Sequence, residues 1–192
     1  NWNVLPGGNI YIKSNAVATD KSGDSFALWN QIPISANYYV QAKMVPPIRP
    51  DMTNPAVVLR YSDANNYYRL FSYTLGNSAT LYKVKNGVVS VLKSYSPSLF
   101  PPINYPAFFR LGASGNRIEV TITDSLGTVI NDNIIDSDPI LVVGQGGFTT
   151  SVGPGAIGEI VFDDFEVGTV GSVCGDGYVD PGEVCDEGSL NG

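Results

Sequence analysis

Basic side chains are scarce in this sequence, and three of them sit among aromatic rings. Arg69, Lys83 and Lys85 belong to a set of only 11 Lys and Arg in 192 residues, with Tyr61, Tyr67, Phe71 and Tyr73 close by along the chain. Aromatic rings cover apolar ligand surfaces while a few polar groups fix orientation. A guanidinium or ammonium pairs with carboxylate or sulfate. Residues two apart on a strand share a face, so Tyr67, Arg69, Phe71 and Tyr73 would act together. The candidate ligand-binding set is therefore Tyr61, Tyr67, Arg69, Phe71, Tyr73 and Lys83. The competing reading makes this face an inner wall between two sheets, with the Lys and Arg heads reaching out at its margins.

A second chemistry is cation binding by oxygen. Asp163 and Asp164 stand together on the last predicted strand, and Asp176, Asp180, Glu183 and Asp186 punctuate a Gly-rich segment. Carboxylates and backbone carbonyls suit Ca²⁺, and solvated carboxylates are the alternative in both places. Alternation puts Asp163 on the face of Val161, Phe165 and Val167, pointing inward and in need of a partner.

Catalysis has less to work with, and no catalytic residue is assigned. A glycosidase needs two carboxylates held apart across a sugar bond, whereas Glu159, Asp163, Asp164 and Glu166 crowd one segment and Glu119 is alone. The chain contains no His, so no Ser or Cys nucleophile has a histidine base. A polysaccharide lyase using Tyr67 or Tyr73 with Arg69 or Lys83 stays open.

The elements that hold these residues are strands. No window of a dozen residues shows helical periodicity free of Gly and Pro, while short alternating runs recur between turn signals. Strands are predicted at 9–13, 25–30, 38–45, 56–62, 66–74, 80–85, 88–94, 107–113, 117–124, 128–131, 147–150 and 156–167. A dozen strands with tight turns implies two packed antiparallel sheets. Asn86-Gly87 is a two-residue hairpin turn that pairs Lys85 with Val88, Lys83 with Ser90 and Leu81 with Leu92. The 62–66 loop would set Arg60 opposite Tyr68, and the next turn would set Phe71 opposite Leu81. In that register Val58, Arg60, Tyr68, Leu70, Tyr82, Val84, Val89 and Val91 form the core face. Leu59, Leu81, Lys83 and Lys85 then join the aromatic, basic face.

A net charge of −7 argues against nucleic acid as a main partner, since phosphate binding needs a basic footprint. It argues equally against an anionic membrane surface. Apolar stretches such as Ile140 to Val143 are too short to span a bilayer, so no membrane insertion is expected. Cys174 and Cys185 are the only cysteines, and the first 173 residues have none. A thiol-free body with a closely spaced pair fits an oxidising compartment; free cytosolic thiols or half a metal site are the alternatives. The boundary falls near Gly168, dividing residues 1–168 from a linker and tail at 169–192.

Four segments carry a family resemblance: Ala56 to Leu70, Leu81 to Gly87, Phe109 to Val120 and Val161 to Val167. Together they resemble the concanavalin A-like lectin/glucanase superfamily, nearest its laminin-G-like and carbohydrate-binding-module branches. The resemblance implies an all-β, antiparallel two-sheet β-sandwich (jelly roll), and in many relatives an acidic residue on the final strand helps hold a structural Ca²⁺, here Asp163 or Asp164. The tail from Cys174 to Asp186 resembles the first half of a cysteine-rich repeat of secreted myxobacterial proteins. That repeat implies disulfide chemistry for Cys174 and Cys185, with each other or with later cysteines, and offers Asp176 and Asp180 as further Ca²⁺ ligands. The function implied is a non-catalytic carbohydrate-binding module of a larger secreted or cell-surface protein. Its partners would be a polysaccharide, an anionic one in the sharper form, or a cell-surface glycan, and further domains of the same polypeptide. The alternatives are an adhesive or structural protein-interaction module and a small polysaccharide lyase.

Overall fold

The computed structural model describes residues 2–5, 10–13, 16–19, 23–45, 53–73, 77–96, 98, 103–152 and 160–170. Cys174, Cys185, Asp176 and Asp180 lie outside the described residues, as does the rest of the expected repeat.

Among the described residues fourteen strands form two seven-stranded antiparallel sheets, as expected for a β-sandwich. The first sheet runs, in spatial order, β1 (Trp2–Val4), β4 (Gly23–Trp29), β13 (Gln145–Val152), β6 (Thr53–Asp63), β7 (Asn66–Tyr73), β8 (Ser78–Lys85) and β9 (Val88–Tyr95). The second runs β12 (Gly127–Ile135), β11 (Arg117–Asp124), β10 (Ala107–Ser114), β5 (Tyr38–Val45), β14 (Ile160–Thr169), β3 (Ala16–Thr19) and β2 (Ile10–Lys13). The strand β3 was not expected from the sequence. Among the described residues no helix is long and apolar enough to cross a membrane.

Alternation of side chains explains the layers. Along β5, Tyr38, Val40, Ala42 and Met44 are buried, while Tyr39, Gln41, Lys43 and Val45 between them are half-buried. β11 repeats the pattern with Ile118, Val120 and Ile122 inside. The first sheet answers with a registered row of Ala27, Phe148, Val57, Leu70 and Leu81, and the two inner faces merge into one core. Phe148 stacks on Phe162 at 4.3 Å and Trp2 packs on Phe148 at 4.7 Å. Each fully buried side chain of this size contributes about 1.5–3 kcal/mol relative to exposure.

The Asn86-Gly87 turn forms as expected, with φ of 52° and 77°, and pairs Lys85 with Val88 and Lys83 with Ser90. A bulge between Leu81 and Tyr82 then sets Leu81 opposite Lys93 rather than Leu92. A second irregularity between Leu59 and Asp63 sets Leu59, not Arg60, opposite Tyr68. Across the next pair Leu70, not Phe71, meets Leu81. Because the side-chain period is two, each one-residue shift exchanges faces between strands. Leu59 and Leu81 therefore belong to the core, whereas Val89 and Val91 are more than half exposed.

Candidate functional site

Tyr67, Phe71 and Tyr73 of β7 gather on one face, the outer face of the first sheet, while Tyr68 lies in the core; their neighbours differ from those expected. Tyr61 and Tyr67 stack on each other at 5.5 Å, and Phe26 closes against both. With Leu28, Val58 and Val84 these rings form a small second core. Tyr61, Tyr67 and Phe71 are only 8%, 7% and 6% exposed, so they work as a packed floor rather than as open stacking surfaces.

Beside that floor lies a more accessible strip. The Arg69 guanidinium carbon lies 4.9 Å from the Phe71 ring centroid and 5.4 Å from that of Tyr82. Tyr82 pairs in register with Arg69, and its hydroxyl meets that of Tyr73 at 2.5 Å. Arg69, Tyr73 and Tyr82 are half-buried. Burial first, and then the hydrogen bond to Tyr82, push the Tyr73 phenol up to about 12, so it stays a neutral donor and acceptor at physiological pH. Cation–π contact holds the guanidinium beside both rings. Tyr82 is the residue that the sequence reading assigned to the core; the one-residue shift between β7 and β8 brings it here.

Lys83 is the site residue that the structure removes from this face. Its ammonium stands 2.7 Å from Asp136 Oδ1 and 2.8 Å from the Asp138 carbonyl oxygen, under the connection from β12 to β13. Lys85 pairs with Asp138 and also donates to the Pro139 carbonyl. The physical reason is parity: in the observed register Lys83 shares the side of Leu81, not of Tyr82. Asp136 also accepts the Tyr68 hydroxyl at 2.8 Å and the Asp138 N–H at 3.0 Å. Burial raises the Asp136 carboxyl, but these hydrogen bonds, with Lys83 foremost, outweigh it and hold the group below the usual carboxylate range.

Arg60, expected on the core face, is wholly buried and braces the same end of the sandwich. Its Nε donates to the Ala36 carbonyl at 2.9 Å, and its Nη1 donates to the carbonyls of Gly115 at 2.9 Å and Ile140 at 2.7 Å. One side chain thereby ties three connections: β4 to β5, β10 to β11, and β12 to β13. Its φ of 53° is the left-handed turn that lets the chain aim the guanidinium inward. The buried charge is met by carbonyl dipoles, as a buried charge must be.

The acidic pair on β14 does not form a cation site. A bulge between Asp163 and Glu166, with Asp164 at φ 49°, resets the alternation. Phe162 and Phe165 consequently both pack inward, and Asp163 does not point into the core as expected but pairs in register with Lys43 on the outer face. Asp163 Oδ1 accepts the Asp164 N–H at 2.9 Å, and Asp164 Oδ2 lies 3.7 Å from the Lys43 ammonium. A neighbouring ammonium disfavours a divalent ion, and among the described residues no three acidic side chains converge. These residues do not fit Ca²⁺.

The sequence reading missed the outer face of the second sheet. The Tyr39 ring lies flat over Gly168, where an added Cβ would stand 2.5 Å from the ring's Cζ. Its hydroxyl donates to Glu166, and the Arg110 guanidinium carbon sits 3.5 Å from its centroid. Alternation along β5 and β10 marks Tyr39 and Arg110 as outward. Their proximity depends on the β5–β10 pairing, for which no turn signal exists.

A shallow cavity of about 160 Å³, lined by Pro33, Ile34, Tyr38 and Val167 among others, opens beside the β4–β5 loop. Ile32 and Ile34 on that loop, and Leu141, Val142 and Val143 on the β12–β13 connection, are exposed.

No protein-family model matches the chain, and no curated protein matches it significantly. Solved structures do. The chain is similar to the carbohydrate-binding module CBM66 from Bacillus subtilis, at 20% identity and a TM-score of 0.69, over 88% of this chain and 95% of that one. It is similar to the VIP36 exoplasmic/lumenal domain in its Ca²⁺/Man3GlcNAc-bound form, at 11% identity and a TM-score of 0.68, over 90% and 84%. It also resembles the GH43 protein BlXynB from Bacillus licheniformis, at 13% identity and a TM-score of 0.61, over 82% of this chain but 34% of that one. At these identities the likeness establishes the fold, a two-sheet sandwich in keeping with the concanavalin A-like resemblance of the sequence.

Proposed function

We propose that this domain is a non-catalytic carbohydrate-binding module of a larger secreted protein and that it recognises a polysaccharide. The observation that carries the reading is the strip on the first sheet, where Arg69 lies against both the Phe71 and Tyr82 rings and the Tyr73 hydroxyl meets that of Tyr82. The half-buried rings of Tyr73 and Tyr82 offer apolar contact, and a fixed guanidinium and phenol offer orientation. Tyr61 and Tyr67 pack with Phe26 beside the strip on the same face. The fold supports the same reading, because the structures it resembles include a carbohydrate-binding module and a glycan-bound lumenal domain. Calcium, if this protein uses it, belongs with Asp176 and Asp180 in the tail rather than with Asp163 and Asp164.

The test is a glycan array with neutral, uronic-acid and sulfated polysaccharides, probed with the intact chain. Retention of one class supports the module, and silence across the array overturns it. Exposed Ile32, Ile34, Leu141, Val142 and Val143 at one end of the sandwich favour the second reading, an adhesive module that meets another protein.

A further inference from the structure

The outer face of the second sheet holds a cation without an acidic partner. Three basic side chains are described on this face. Lys43 pairs with Asp164 and Arg117 pairs with Glu119 at 2.6 Å. Arg110 has no hydrogen bond or ion pair among the described residues; its guanidinium carbon lies 3.5 Å from the Tyr39 ring centroid. Tyr39 is itself fixed, its ring laid on Gly168 and its hydroxyl held by Glu166. Stacking immobilises the guanidinium and leaves its N–H edge open, so the ordering cost of a bidentate contact falls before any ligand arrives.

Arg110 is also the centre of a polar row. The sheet register aligns Asn131, Thr121, Arg110, Gln41 and Glu166 across five adjacent strands. At roughly 4.8 Å per strand the row spans about 19 Å, the reach of several sugar units. Asn131, Thr121 and Gln41 have no side-chain hydrogen bond among the described residues. Amides and a hydroxyl supply the mixed donors and acceptors that sugar hydroxyls require, and an apolar partner would leave them unmatched.

Building on the carbohydrate-binding reading above, we propose that this face is a second glycan site, in which Arg110 takes the carboxylate of a uronic-acid unit in an acidic polysaccharide laid across the strands. The guanidinium fork can pair bidentately with carboxylate and with sulfate oxygens alike; the more basic carboxylate is the stronger acceptor, which favours a uronate over a sulfate ester. The basic residues that read acid are thus not Lys83 and Lys85, which are engaged with Asp136 and Asp138, but one arginine on the opposite sheet.

The experiment measures binding of the intact chain to polygalacturonate, to its fully methyl-esterified form and to dextran sulfate. Wild type is compared with Arg110→Ala, Arg110→Lys and Arg69→Ala, all checked for an unchanged melting temperature. The expected result is preference for the acid form over the ester, lost by tenfold or more in Arg110→Ala and largely lost in Arg110→Lys. Dextran sulfate should bind more weakly than polygalacturonate. Unaltered polygalacturonate affinity in Arg110→Ala with loss in Arg69→Ala would overturn this site and leave the strip on the first sheet standing. Equal binding of acid and ester, or Arg110-dependent binding of dextran sulfate as tight as polygalacturonate, would overturn the uronate assignment. Failure to bind any polysaccharide would overturn both.

Discussion

Lys83 and Asp136, 53 residues apart in the chain, form an ion pair of 2.7 Å from which both side chains are nearly excluded from water. Asp136 receives the Tyr68 hydroxyl as well, and that same hydroxyl accepts the Ile140 N–H at 2.7 Å. The pair therefore joins β8 of one sheet to the end of β12 of the other, beneath the connection that carries Pro139 and Ile140.

Replacing Lys83 by Met should destabilise the domain by about 3–5 kcal/mol, because removing one partner strands a buried carboxylate. Urea denaturation measures the loss. A change under 1 kcal/mol would mean that the pair is solvated in solution.

The pH response follows from the sign of the Asp136 shift. Its folded-state carboxyl lies below the usual range, so its contribution is full above the unfolded value of roughly 3.9. That contribution is lost as pH falls through the lower folded value. Thermal melts of wild type should drop more steeply from pH 5 to pH 2.5 than those of Asp136→Asn, which starts lower. Parallel curves would remove Asp136 from the acid response.

Arg69 and Tyr67 should separate binding from folding. Arg69→Ala is expected to weaken polysaccharide retention about tenfold or more with little change in melting temperature. Tyr67→Ala opens the packed floor under Phe26 and Tyr61 and should cost on the order of 3 kcal/mol. Affinity electrophoresis and denaturant melts on both variants check the contrast.

The Asp163→Asn, Asp164→Asn double variant should melt within a few degrees of wild type. An exposed pair such as Lys43–Asp164 is worth about 0–1 kcal/mol, which is at most roughly 2–4 °C for a chain of this size. Any loss of melting temperature on chelation should persist unchanged in the double variant; its disappearance would assign a cation to Asp163 and Asp164 after all.

Arg60→Lys keeps the charge and discards the fork. Hydrogen bonds from a charged group contribute about 1.5–3 kcal/mol each, so losing two of the three carbonyl contacts should destabilise the domain measurably. Amide hydrogen exchange should then accelerate together around Ala36, Gly115 and Ile140. Acceleration at one of these places alone would mean that the connections are not tied through Arg60.

Strand boundaries were legible where alternation was strict: Tyr38–Val45 and Arg117–Asp124 are found at the residues expected. The Asn86-Gly87 turn was legible because its positive φ angles demand such residues. Arg60 and Asp164 were not, since an arginine and an aspartate in left-handed backbone carry no local signature. The irregularity at Asp164 turned Asp163 outward, and the one at Arg60 set Leu59 opposite Tyr68. Lys83 was separated from the Tyr67–Tyr73 face by the β7–β8 register, one residue from that expected. The Tyr39–Arg110 stack was hidden for a different reason: it depends on two strands almost 70 positions apart finding each other, as in the pairing of Gln41 with Arg110. No turn between them announces that meeting.

The placement of β14 between β3 and β5 also sets an order of events in folding. Tyr39 and Glu166 are 127 residues apart, and β14, an interior strand of the second sheet, is synthesised after the sheet's other six strands. Until residues 160–169 arrive, β3 and β5 each present an unpaired edge, and such edges invite pairing with other chains. Closing so long a loop is also slow, and sandwiches with pairing of this kind fold in milliseconds to seconds. A truncation before Ile160 would therefore remove the middle of a sheet rather than trim its end, and aggregation is the expected fate of the shortened chain.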